Sequence, residues 1–155
     1  MNKLFIMLVL FTTAFFQNGN AQDSAKPALL LNAYYNLKDA LVSSNATLAA
    51  INAEALAKAI KEADKETVNE KTSAILLNDA AAISQSKDIK LQREKFATLS
   101  ANIIELAKKV KLSADPVYEQ YCPMKKASWL SKEKAIKNPY YGNAMLTCGS
   151  VKATL

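Results

Sequence analysis

The sequence predicts a mainly α protein: an up-and-down four-helix bundle followed by a small irregular C-terminal Cys/Met segment that starts at about residue 113. Three observations carry this expectation. Only three glycines and four prolines occur in 155 residues, against many Ala, Leu, Lys and Glu, a balance that favours helix over sheet. Between Pro27 and Leu112 the apolar residues recur at helical spacings of three and four. At Ser113 the texture changes, and prolines, glycines and aromatics crowd into the remainder. A chain of this length fits one domain, and half of it is hydrophobic, which is enough to bury a core.

The first element is a targeting segment. "MNKLFIMLVLFTTAFFQNGNAQ" carries Lys3, an apolar run from Leu4 to Phe16, and the small-residue cleavage site Gly19-Asn20-Ala21. The run is short for a bilayer span and a polar stretch follows at once, although a retained membrane anchor is the competing reading. Residues 1–21 are thus expected to be a signal peptide, and the mature chain, residues 22–155, a periplasmic or secreted protein. Removing the segment takes away Lys3 alone among charged residues, leaving a net charge of +5.

Pro27 suits the first turn of a helix, where its missing N–H is not needed, and Leu30, Tyr34, Leu37 and Leu41 form one face. "VSSN" interrupts this pattern, and Asn45 is positioned to cap a second helix from about Ala46 to Asp64. Its inner stripe reads Ala49, Ala53, Leu56 and Ile60. A third, shorter helix is expected between Thr72 and Ser84, before "SQSKD". The fourth is the clearest, with Phe96, Leu99, Ile103, Leu106 and Val110 on one face and Lys and Glu outside. Four amphipathic helices with short connections pack naturally as a bundle. Asp115-Pro116 then stops the helix, "VYEQY" is β-prone, and "NPYYGN" is a turn in which Gly142 can take a positive φ. The last segment is too small to fold alone and is expected to dock on the helices through Trp129, Tyr140 and Tyr141.

Much chemistry is excluded by what is missing. The chain has no histidine, which removes histidine-based triads and histidine metal sites. Ser84-Gln85-Ser86-Lys87 matches S-x-x-K but lacks its companion motifs, and reads as a helix end. Glu62, Asp64, Glu66 and Glu70 alternate with lysines on a solvated face, unlike a buried catalytic pair. Asn45-Ala46-Thr47 has the form of a glycosylation acceptor, but the helix cap accounts for the asparagine. No enzymatic activity is expected. The formal charge of +6 comes from 20 basic and 14 acidic residues, mixed in sign along "KETVNEK" and "KDIKLQREK" and without interleaved aromatics, which argues against nucleic acid.

What remains is sulfur: Cys122, Met124, Met145 and Cys148. Thiolate and thioether are soft ligands suited to Cu(I) and Ag(I). Pro123 restrains the first pair, and Gly149 leaves room for close backbone approach at the second. Structural zinc normally needs four Cys or His ligands, and the chain has only two. In an exported protein two cysteines also commonly form a disulfide. Both readings stand at this point.

The stretch "YEQYCPMKKASWLSKEKAIKNPYYGNAMLTCGSVKATL" closely resembles the C-terminal motif of the family called domain of unknown function 3347. The matching elements are Cys122-Pro123-Met124, Trp129-Leu130-Ser131, Asn138-Pro139-Tyr140-Tyr141-Gly142 and Met145-Leu146-Thr147-Cys148-Gly149. "YYNLKDALVSSN" and "DIKLQREKFATLS" in the helical part are similar to the same family. Its members are stand-alone exported bacterial proteins and the C-terminal part of periplasmic adaptor subunits of copper/silver efflux pumps. The resemblance implies a helical bundle and heavy-metal handling outside the cytoplasm, with a soft metal ion and an efflux-pump or metal-carrier protein as partners. One position departs from the pattern: Tyr121 stands where members commonly carry histidine, so a site here rests on sulfur alone.

The expectation is therefore an exported protein that binds Cu(I) or Ag(I) through Cys122, Met124, Met145 and Cys148, as a carrier or an accessory to efflux. The alternative is a non-metal structural or interaction domain pinned by a Cys122–Cys148 disulfide.

Overall fold

The computed structural model describes residues 25–155, so the segment expected to be a signal peptide, residues 1–21, lies outside the described residues. Four helices come first: α1 (Ala25–Val42), α2 (Ala46–Glu62), α3 (Glu70–Ser84) and α4 (Ile89–Lys109). Each helix packs against the next in the chain. Among the described residues, no helix is long and apolar enough to cross a membrane.

Local chemistry sets the helix boundaries. Ser44, at φ +58°, turns the chain after α1, and the Asn45 side chain accepts the Leu48 N–H at 2.9 Å to open α2. Asn69 caps α3 through Thr72 N, and Asp88 caps α4 through Lys90 N. Lys108 and Lys109 lie in the last turn of α4, where cations favour the negative end of the helix dipole.

The inward faces are those the spacing predicts. Leu30, Tyr34, Leu37 and Leu41 of α1 are buried, as are Ala49, Ala53, Leu56 and Ile60 of α2. In α4, Phe96, Leu99, Ile103 and Leu106 are buried, but Val110 is the half-buried C-cap residue and its stripe ends one turn early.

The expectation of an irregular C-terminal segment is corrected by the structure. Strands β1 (Tyr118–Cys122), β2 (Ala127–Ser131) and β3 (Ser150–Thr154) form an antiparallel sheet in the order β2-β1-β3. A hairpin joins the first two, with Tyr118 opposite Ser131 and Cys122 opposite Ala127, and Lys126 at φ +56° completes its turn. The β1–β3 ladder shifts register between Glu119 and Gln120, a local irregularity in an exposed edge strand. Of the three strands only β1 shows in the sequence, in the β-prone "VYEQY", and the edge strand β3 escapes it for a physical reason. β3 lies at an edge with four of its five residues exposed, so "SVKAT" has no apolar alternation to betray it.

The sheet docks on α4 through β2 and shares the helical core. Trp129 is fully buried, with its ring edge-on to Tyr140 at 5.8 Å. Tyr140 meets Phe96 at 6.0 Å, and Phe96 stacks on Tyr34 at 5.3 Å. The Tyr34 hydroxyl accepts the Leu130 N–H at 3.0 Å and shares a 2.7 Å hydrogen bond with Ser100. Trp129 and Tyr140 thus anchor the sheet on the helices, while Tyr141 is only half-buried.

Candidate functional site

Cys122 is the last residue of β1, and its side chain points into the core with no exposed surface. The chain then turns through Pro123–Lys126, closed by Lys126 N–H donating to the Cys122 carbonyl at 2.8 Å. Cys148 arrives from the other side, after a 3₁₀ turn over Gly142–Met145, and its N–H donates to Met145 O at 3.1 Å. Gly149 makes this approach possible. Its φ is +147°, and a Cβ there would stand 2.9 Å from both Trp129 Cη2 and Tyr121 O. The two sulfurs end 3.2 Å apart, with Cys148 half-buried.

The surroundings of the two thiols differ. Burial opposes ionisation of Cys122, but the Lys125 N–H, the Cys148 thiol, the Asn138 side chain and the Met124 N–H outweigh it, and its pKa falls below the ordinary thiol value. Cys148 moves the other way, raised first by its hydrogen bond with Cys122 and then by burial and the neighbouring sulfur's charge. Of the two, Cys122 therefore gives up its proton more readily than Cys148.

Two residues that the sequence reading did not assign to the site hold its frame. Asn138 was expected only to start a turn, yet it is fully buried. Its Nδ2 donates to Cys148 O at 2.7 Å, its Oδ1 accepts Tyr140 N–H at 2.8 Å, and its backbone bonds Leu146 O and Gly142 N. Arg93 of α4 reaches Pro139 O at 3.0 Å, Leu41 O at 2.9 Å and Ser44 Oγ at 2.8 Å. Gly142, at φ +54°, makes way for that guanidinium, since a Cβ there would lie 2.5 Å from Arg93 Nη2.

Of the four predicted sulfur residues, the structure brings Cys122 and Cys148 into contact. Met124 sits in the hairpin turn with 64% of its surface exposed, and Met145 is half-buried at the end of the 3₁₀ turn. Among the described residues no three His, Cys, Asp or Glu side chains cluster as a metal group, and two thiols do not make a four-ligand zinc centre.

A family of proteins described as "Protein of unknown function (DUF3347)" matches residues 30–115, more than half of the chain. The chain belongs to this family. The match covers most of α1, all of α2, α3 and α4, and ends before β1, so the thiol pair of this DUF3347 protein lies beyond the matched residues. No curated protein and no solved structure matches the chain.

Proposed function

We propose that this DUF3347 protein is an exported binder of soft metal ions, Cu(I) or Ag(I), serving as a carrier or an accessory to heavy-metal efflux. The observation that carries this reading is the 3.2 Å contact between Cys122 Sγ and Cys148 Sγ. Thiolates select soft monovalent ions, and the turn N–H groups around Cys122 favour its charged form. With about 2.3 Å from ion to sulfur, two thiolates stand about 3.8 Å apart at a tetrahedral angle and about 4.6 Å apart in line. Admitting an ion therefore means opening the pair by about 0.6 Å in the bent arrangement or about 1.4 Å in line, and the half-buried Cys148 side chain is the freer of the two. Met124 and Met145, carried on the same two turns, supply thioethers that resist oxidation better than thiols. In this reading the helices form an up-and-down four-helix bundle, with consecutive helices joined by the connections 43–45, 63–69 and 85–88. The protein acts by binding, without catalysis of its own, and hands the ion to an efflux-pump or metal-carrier protein.

A second reading rests on the same contact. Two sulfurs this close can form a disulfide, which would make the sheet a pinned structural module. Titrating reduced protein with Cu(I) against a competing chelator decides between them. About one ion bound per chain, lost in Cys122→Ser and Cys148→Ser and only weakened by Met→Leu at 124 or 145, supports the metal site. Equal binding by wild type and the double cysteine variant refutes it.

A further inference from the structure

We propose that Cys122 and Cys148 also act as a directed dithiol toward low-molecular-weight disulfides such as glutathione disulfide: Cys148 reacts first and Cys122 resolves. The reaction requires no metal ion and does not rest on the metal reading. Three observations carry the order of events. Cys122 has no exposed surface, lying beneath the Pro123–Lys126 turn and beside the buried Asn138, so an external disulfide cannot reach it. Cys148 is half-buried, at the edge where the chain enters β3. Cys122 Sγ stands 3.2 Å from Cys148 Sγ, on its buried side, which leaves the solvent side for the incoming disulfide and for the departing thiol.

The chemistry balances in two exchanges. The Cys148 thiol loses its proton to solvent, and its sulfur attacks one sulfur of glutathione disulfide. The glutathione S–S bond breaks, one glutathione thiolate leaves and takes up a proton, and a mixed disulfide forms on Cys148. The Cys122 sulfur then attacks Cys148 Sγ, its own proton going to solvent. The mixed disulfide breaks, the second glutathione leaves and is protonated, and the Cys122–Cys148 bond forms. Overall two protein thiols are oxidised to one disulfide, and one glutathione disulfide is reduced to two glutathiones. Because the resolving sulfur is already in contact, the mixed disulfide is expected to be short-lived.

The test uses the wild-type protein without metal. It is mixed with glutathione disulfide, quenched with acid at intervals, cut with trypsin and weighed by mass spectrometry. Residues 112–125 carry Cys122 and residues 138–152 carry Cys148, so each site is read separately. The expected course is a transient glutathione adduct on 138–152, followed by cross-linked 112–125 and 138–152 with both thiols lost. Cys122→Ser should accumulate a stable adduct at Cys148, while Cys148→Ser should react at least about tenfold more slowly, as burial denies access to the remaining thiol. An adduct appearing first on 112–125, or a stable glutathione adduct on wild type, overturns the proposal. The wild-type course decides the matter even where a variant folds poorly. Failure of Cu(I) binding would leave this result untouched.

Discussion

Replacing Gly149 by alanine tests whether the close approach of the strand to Trp129 builds the thiol pair. The new Cβ would stand 2.9 Å from Trp129 Cη2 and from Tyr121 O, and 3.3 Å from Ile136 Cγ2. Carbon atoms in contact prefer about 3.5–4.0 Å, so the methyl is short of room by about 0.6 Å or more on the ring side. Trp129 cannot retreat easily, because it is fully buried and held edge-on against Tyr140. Overpacking of this kind costs about 1–3 kcal/mol. A φ of +147° is rarely adopted by residues other than glycine, which adds about 1–3 kcal/mol. The expected loss is therefore about 2–6 kcal/mol, seen in urea unfolding as a lower midpoint with an unchanged slope. Trp129, the single tryptophan, reports on the site directly by fluorescence. The background Trp129→Phe, followed by circular dichroism because it has no tryptophan left, separates the two causes: a smaller ring relieves the steric part of the loss and leaves the backbone part. A loss below about 0.5 kcal/mol would refute the close-approach argument, since neither contribution is that small.

Leu99→Ala, at a fully buried position on α4, should cost about 2–5 kcal/mol in the same assay; a few tenths would place it outside the core. Oxidation should stabilise the protein by about 3.5 kcal/mol in the chain-entropy treatment, because Cys122 and Cys148 are 26 residues apart. Oxidised protein should also bind Cu(I) far more weakly, and equal stability of the oxidised and reduced forms would argue that closing the bond strains the sheet. Asp79 of α3 has its carboxyl pushed up by burial, only partly offset by the hydrogen bond from Asn102 Nδ2 at 2.8 Å. A raised folded-state pKa means that its contribution is most favourable at acid pH and is lost as pH climbs from the unfolded to the folded value. Asp79→Asn should thus gain stability relative to wild type as pH rises through that window, and a variant that instead loses stability relative to wild type there would contradict the sign.

The helices were legible because each is amphipathic by itself. Ala49, Ala53, Leu56 and Ile60 follow one face of α2 and need no knowledge of a partner to be found. Of the sheet only the β-prone "VYEQY" of β1 was legible, and its pairing was not, because the strands depend on each other. β1 buries Glu119 and Gln120 in succession on opposite faces, and polar residues at buried positions disguise a central strand. Glu119 sits there because Lys152 of β3 reaches it at 3.0 Å, a partner 33 residues away. The site divides along the same line. The only two cysteines of a chain invite pairing, and they do meet. Asn138 and Arg93 carry no such signal, since they bond backbone carbonyls that only the fold brings near; Arg93 lies 46 residues from Pro139 and 52 from Leu41. Nor did spacing reveal that Met124 would face solvent while Cys122, two residues before it, would be enclosed.

The continuous ring contact from Trp129 through Tyr140 and Phe96 to Tyr34 has a practical consequence for anyone cutting this gene into pieces. A fragment ending at residue 115, where the family match ends, keeps all four helices yet loses the lid over Tyr34 and Phe96. It would also strip Arg93 of its Pro139 acceptor and leave Ser100 without the sheet above its tyrosine partner. Such a fragment would present a sticky aromatic scar to solvent and be prone to self-association. The natural unit for expression therefore includes the three strands, and any fusion intended to borrow only the helices should carry a substitute cover for that face.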